Sequence, residues 1–306
     1  MKANEKQLDS EQKDPGTLID GVDSTEAAGF KADLLDMCKS NKVALASAIV
    51  IFLYIFACVF ANFVAPYDPA KIDLMLRLQG PSLSHWFGTD DIGRDVLSRV
   101  LYGGRISLQV GLIPTFISMV IGTVLGLIAG YSGKKTGFLI MRLADMVLAF
   151  PSLLLAMVVM YTLGASTLNL FIALSIISWA GTARVIRSQT LSLKEAEFVE
   201  AAKSMGVKKS TIMFRHILPN CLPTLIVLFT LNIPASILAE ASLSFLGVGA
   251  QPPDSSWGLM ISQGQQYFFQ SPWLIVAPGI AILIVVLAFN FLGDGLRDAI
   301  DPYSKE

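Results

Sequence analysis

A helix needs about 20 mostly apolar residues to cross the hydrocarbon core of a bilayer, and this chain supplies such runs repeatedly. Val43 to Val64 and Ile106 to Ala129 carry no charged residue, and each fits a single crossing. The stretch between Asp145 and Arg184 is also uncharged, too long for one crossing, and interrupted by Gly164, Ala165, Ser166 and Thr167. It reads as two helices joined by a tight turn, about Phe138 to Leu163 and Leu170 to Ala183. A fifth run from about Leu222 to Leu246 contains Pro223, Pro234 and Glu240, and a sixth extends from Trp273 to Leu292. Prolines are tolerated there because neighbouring helices re-satisfy the freed backbone groups. The expected fold class is an all-α membrane protein with six transmembrane helices. Composition agrees, with 53% hydrophobic and only 15% charged residues in 306.

Orientation follows from where Lys and Arg fall in the connections. Gly130 to Thr136 carries Lys134 and Lys135, and the connection after the fourth span carries Arg184, Arg187, Lys194, Lys203, Lys208, Lys209 and Arg215. These lie on one side by parity. The turn near Gly164 has no basic residue, and between Gly249 and Pro272 the only charge is Asp254. Basic loops mark the cytoplasm, which puts both termini inside. The connection from Ala65 to Arg105, expected outside, is an exception to the pattern, with five basic and five acidic residues; its zero balance and length suggest a folded external segment. The expected division is a cytoplasmic extension (1–42), a first span (43–64), an external segment (65–105), a five-helix core (106–293) with a cytoplasmic loop at about 188–220, and a tail (294–306). The polar, acidic first 42 residues show no cleavable signal.

The long internal loop holds a short amphipathic helix where a turn would suffice. Ser192 and Glu195 match a capping box, and Gly206 supplies a left-handed stop. Phe198, Ala201 or Ala202, and Met205 fall on one face at helical spacing, with Glu197, Glu200 and Lys203 around it. Small residues at the centre of a short helix let it seat deeply in a groove on another protein; the alternative is a helix lying on lipid headgroups.

The string EAAKSMG from Glu200 to Gly206, followed by Leu218 and Pro219, resembles the coupling-loop signature of permeases in binding-protein-dependent ABC importers. His216 stands where the broader form has an aliphatic residue, and the surrounding RHILPN is similar to the peptide-transporter branch. FGTDDIGRDVLSRVLYGGRISL (Phe87 to Leu108) and LAEASLSFLGVGAQPPDSSWG (Leu238 to Gly258) resemble the C-type permease subunit of dipeptide, oligopeptide and nickel systems. The resemblance implies a MetI-like permease fold in the bacterial inner membrane. It also implies a sister permease completing a heterodimer, two ATP-binding subunits that carry ATP and Mg, and an extracytoplasmic substrate-binding protein. Phe198, Glu200, Ala201, Ala202, Met205, Gly206, Leu218 and Pro219 would couple to the ATPase. Peptides lead as substrate, with nickel and glutathione-like compounds as alternatives and a secondary transporter as the runner-up from another class.

Charged residues inside predicted spans are costly and therefore candidates for a translocation path: Arg142, Asp145 and Glu240. Arg142 and Asp145, three apart, would also suit a local ion pair. Glu240 has no cation nearby in sequence and would face a partner or a watered cavity. Gly88, Thr89, Asp90, Gly93, Arg94 and Asp95 form a glycine-bearing acidic turn that lacks EF-hand spacing and reads as a loop contacting the binding protein or sister subunit. Trp86, Trp257, Tyr267 and Trp273 suit an interfacial aromatic belt. Other classes find little support. Net charge of -1 removes a nucleic-acid footprint. Cys38, Cys58 and Cys221 lack metal-ligand spacing. The GxSG at Gly130 to Gly133 sits in a basic turn without a membrane histidine, and no GxxxxGK phosphate loop occurs, so no enzyme activity is expected of this chain.

Overall fold

A computed structural model describes residues 41–252 and 254–300. The expected N-terminal extension, apart from Asn41 and Lys42, lies outside the described residues, as do Cys38 and the last six residues of the tail. The described chain is helical, its only strand-like pairing being a single bridge between Thr89 and Asp95. Three of the long helices begin where a side chain satisfies free amides. Asn41 Oδ1 accepts from Val43 and Ala44 at the start of α1 (Lys42–Val59). Asp95 accepts from the Ser98 amide at 2.8 Å to start α2 (Val96–Tyr131). This cap sets the start of α2 ten residues before the expected Ile106, so the segment between the first two spans is shorter than read from charge-free length.

The third expected span is not one helix. α3 (Lys134–Leu148) and α4 (Ser152–Leu163) meet at 89°. Pro151 lacks an amide donor and biases Phe150 away from helical geometry, which accounts for the break. The long apolar helices therefore number five among the described residues, or six if the bent pair counts as one span. α5 (Thr167–Leu193) starts at a Ser166 cap and outruns the expected Ala183 by ten residues, so Arg184 and Arg187 lie in a helix and not in a loop. α6 (Glu197–Ser204) follows, then a helical turn (Lys209–Thr211) and a wide turn (Ile212–Ile217) leading into α7 (Leu218–Phe245). α8 (Trp257–Gly264) precedes α9 (Trp273–Ile300), which continues past the expected Leu292.

The most extensive contact joins α2 to α5. Gly122, Gly126 and Gly130 form a stripe on α2 with no room for a Cβ: one at Gly126 would lie 2.7 Å from the Ala183 carbonyl oxygen, and one at Gly130 2.6 Å from Thr190. Small residues at four-residue spacing let backbones approach where lipid offers no hydrophobic drive for helix pairing. On the other side α7 packs on α2 and α9, and α1 lies on α9. The largest core gathers Trp257, Ile233, Ile237 and Phe289 from these elements.

Candidate functional site

α6 is a two-sided helix. Its inward side, Val199 and Ala202, is buried with Leu127 and Tyr131 of α2, Ile186 of α5 and Cys221 and Leu225 of α7. Its outward side presents Phe198, Glu200, Ala201 and Met205, Met205 being 76% exposed. The start of α6 differs from the expected capping box: its cap is Ala196, with no side-chain hydrogen bond, because Ser192 belongs to α5. The end is better defined. Gly206 has φ +75°, its amide donates to the Lys203 carbonyl at 3.0 Å, and Val207 donates to Ala202 at 3.1 Å. These two bonds close the helix as a Schellman motif, with Val207 packing on the core beneath. Lys203 Nζ reaches back to the Lys194 carbonyl at 2.9 Å, tying α6 to the end of α5. Leu218 and Pro219, half-buried, start α7 at the foot of α6 and are not on its open face. The structure thus brings Phe198, Ala201 and Met205 together, turns Ala202 inward, and adds Val199, whose three-residue spacing from Ala202 was the available signal.

The charged residues within spans sit differently from expectation. Asp145 does not pair with Arg142; it accepts from Arg184 Nη2 of α5 at 2.8 Å, both side chains being about half exposed. Arg142 stacks over Phe138, 5.2 Å from the ring centre. Glu240 is 0% exposed and faces neither a partner surface nor an open cavity. Its Oε1 accepts from the Ser244 and Ser256 hydroxyls, each at 2.6 Å, so it pins α7 to the cap of α8. A different surface is open to small molecules. A cavity of about 280 Å³ between α4, α5 and α7 is lined by uncharged polar groups, Ser152, Ser178, Asn232, Ser236 and Ser242, among aliphatic ones.

The glycine-bearing loop, expected to contact a partner, is mostly enclosed within this chain. Gly88, Thr89, Asp90, Gly93 and Asp95 are buried. Asp90 accepts from Arg94 Nε at 2.7 Å, Arg99 Nη1 at 2.6 Å and the amides of Ile92 and Arg94. Asp95 holds His85 Nδ1 at 2.9 Å as well as Ser98. Gly88 (φ +73°) lets the chain pass beside Trp273, whose Nε1 donates to the Thr89 carbonyl. Asp91, Ile92 and Arg94 are partly exposed. Trp257 also departs from the aromatic-belt expectation: it is fully buried, its Nε1 donating to Val100 at 2.8 Å. The segment between α1 and α2 exposes large apolar side chains, among them Leu74, Met75, Leu83 and Trp86, beside polar ones such as Asp68, Lys71 and Arg77.

Residues 122–305 match the model of the binding-protein-dependent transport system inner membrane component, and residues 32–81 match the N-terminal TM domain of oligopeptide transport permease C. Among curated relatives, the dipeptide transport system permease protein DppC of Alkalihalophilus pseudofirmus is 47% identical over 267 residues, 87% of this chain and 88% of the relative. The glutathione transport system permease protein GsiD of Pectobacterium atrosepticum is 44% identical over 264 residues, 86% of this chain and 88% of the relative. A solved structure of the MetNI methionine ABC transporter in inward facing conformations superposes with a TM-score of 0.56 at 18% identity, over 67% of this chain and 98% of that one; at that identity the likeness speaks for a MetI-like fold. The chain therefore belongs to the family of binding-protein-dependent transport system inner membrane components, as a C-type, multi-pass permease subunit of the dipeptide and oligopeptide branch of ABC importers.

Proposed function

We propose that this subunit forms half of a translocation path for short peptides, driven through α6 by a separate ATP-hydrolysing chain. The single observation that carries the reading is the division of α6 into a side locked on the transmembrane core by Val199 and Ala202 and an open side made of Phe198, Ala201 and Met205. A helix held in this way transmits a push to α2, α5 and α7, and the open face suits a groove on a partner. Nucleotide shifts the spans only by its differential affinity for two states, so a firmly rooted helix is what the coupling requires.

In this reading both termini and α6 are cytoplasmic, as the basic connections indicate. Residues 1–42 extend into the cytoplasm, the segment up to Arg105 lies outside, and the core ends near 293 with a cytoplasmic tail. The partners are a sister permease, two ATP-binding subunits that hold ATP and Mg, and an extracytoplasmic binding protein. Exposed Leu83 and Trp86, more than the buried Gly88 to Asp95 loop, offer the surface for that protein or the sister chain. The Ser178, Asn232 and Ser242 cleft replaces the charged residues as the path wall; neutral hydroxyl and amide groups suit peptide backbones of any side-chain charge. Substrate class follows from relatives whose names specify dipeptide and glutathione transport, both short peptides. The test is co-purification of the four-component complex and peptide-stimulated ATP hydrolysis in proteoliposomes. Uptake that needs only a proton gradient, with no ATPase bound, rejects the reading.

A further inference from the structure

A second cavity, about 430 Å³, lies where the first turns of α2 meet Pro252, Asp254 and Ser255, at the end of the bundle that carries the segment before α2. This volume falls within the roughly 300–1,000 Å³ of small-molecule sites. Three arginines line it, and they differ in how far they are used. Arg99 is committed, with Nη1 on Asp90 and Nη2 on Gln263 Oε1 at 3.0 Å. Arg94 uses Nε on Asp90, and its two terminal nitrogens make no hydrogen bond among the described residues. Arg105 donates from Nε to the Cys58 carbonyl at 2.7 Å and from Nη2 to Val59 and Asn62, leaving Nη1 without a hydrogen bond among the described residues. Asp90 and Asp91 stand behind Arg94 and Arg99, whereas among the described residues no carboxylate bonds to Arg105, whose hydrogen bonds go to the carbonyl end of α1 and an amide oxygen.

Further donors point the same way. The Arg105 guanidinium sits over the Tyr102 ring, 4.8 Å from its centre, which helps hold it in place. Ser255 also lines the cavity, and its enclosed Oγ has no hydrogen-bond partner among the described residues. A buried hydroxyl left unbonded is costly unless something fills the site. Asp254, on the rim and bonded to Thr167 Oγ1 at 2.7 Å, supplies a negative group. Free guanidinium N–H groups, an unpaired hydroxyl and a carboxylate on the rim match the two ends of a zwitterion, because guanidinium forks bind carboxylates through paired charge-assisted bonds.

We propose that this cavity receives the terminal carboxylate of an incoming short peptide through Arg105, Arg94 and Ser255, with Asp254 facing its ammonium end. The inference rests on the reading of the chain as a peptide importer and adds where the peptide first meets this subunit. The test uses the purified transporter complex, the guanidinium reagent phenylglyoxal, and alanyl-phenylalanine or its C-terminal amide as probe. The dipeptide is expected to slow modification of Arg105 several-fold, the amide to leave it unchanged, and Ser255→Ala to raise the half-protecting concentration by about tenfold, the worth of one charge-assisted hydrogen bond. Equal protection by both probes, or none, overturns the site. Protection by the binding protein alone, without peptide, would place a partner's carboxylate there and also overturns it. Uptake of the dipeptide by proteoliposomes is measured in parallel: uptake without carboxylate-dependent protection rejects this site alone, and absence of uptake rejects the peptide reading and the site with it.

Discussion

Ala201 and Ala202 are neighbours in sequence and lie on opposite sides of α6, the first open to solvent and the second 2% exposed against Tyr131 and Ile186. Enlarging each should therefore fail differently. Ala201→Leu adds volume where nothing in this chain touches it and keeps a strong helix former, so the subunit should stay folded. Peptide-stimulated ATP hydrolysis should fall at least tenfold, about 1.4 kcal/mol of docking. Ala202→Leu overpacks a closed core and should cost about 1–3 kcal/mol of stability, read as a lower melting temperature of the purified complex. Equal stability losses for the two variants would contradict the two-sided helix.

Glu240 separates a structural carboxylate from a path residue. Its Oε1 satisfies two buried hydroxyls, so Glu240→Gln, which preserves an acceptor oxygen, should leave peptide uptake within about twofold. Glu240→Ala strands Ser244 and Ser256 and should destabilise by about 1–3 kcal/mol for each group left unpaired. If the Gln variant changed which peptides are carried while melting normally, the carboxylate would belong to the path after all.

The charge-free runs were legible because run length against bilayer thickness is a blunt, strong constraint; it located the spans without locating their ends. The ends are set by single polar residues such as Asp95 and Ser166, and the break at Phe150 and Pro151 by one missing amide, neither of which alters the hydrophobic run. Helical spacing found the face of Phe198 and Met205 but could not choose between adjacent alanines, since that depends on which core α6 folds onto. Glu240 looked solitary because one of its partners, Ser256, is sixteen residues away, although Ser244 at the four-residue spacing was visible. The buried Gly88 to Asp95 loop was read as surface because its acidic residues suggest solvent until Arg94, Arg99, His85 and the backbone amides are seen to meet them.

The glycine stripe of α2 gives a further prediction. Gly126→Val would place a methyl-bearing carbon where the Ala183 carbonyl and the Ile186 side chain already lie. Backbone cannot yield as a flexible side chain can, so α2 and α5 must separate. The expected result is loss of the subunit from the membrane or a drop in melting temperature corresponding to roughly 3 kcal/mol or less, while Gly133→Ala, where a Cβ would meet nothing within 4 Å, should be silent. A stable, active Gly126→Val subunit would mean the two helices are not packed this closely.

Asp90 and Trp86 test whether the segment before α2 divides into scaffold and contact surface. Asp90 gathers Arg94, Arg99 and two backbone amides while almost fully buried, so Asp90→Ala leaves the enclosed Arg99 charge without its carboxylate and should cost about 3–5 kcal/mol. Trp86 is 69% exposed and makes no hydrogen bond among the described residues, so Trp86→Ala should leave melting unchanged. If this surface is where the binding protein or sister chain rests, the same substitution should weaken that association, measured by retention of each partner on the immobilised complex, by tenfold or more, the scale typical of an aromatic anchor. Retention unaffected by Trp86→Ala and by Leu83→Ala together would move the contact elsewhere, because Leu83, 98% exposed, and Trp86 are the most open large apolar side chains beside the buried loop.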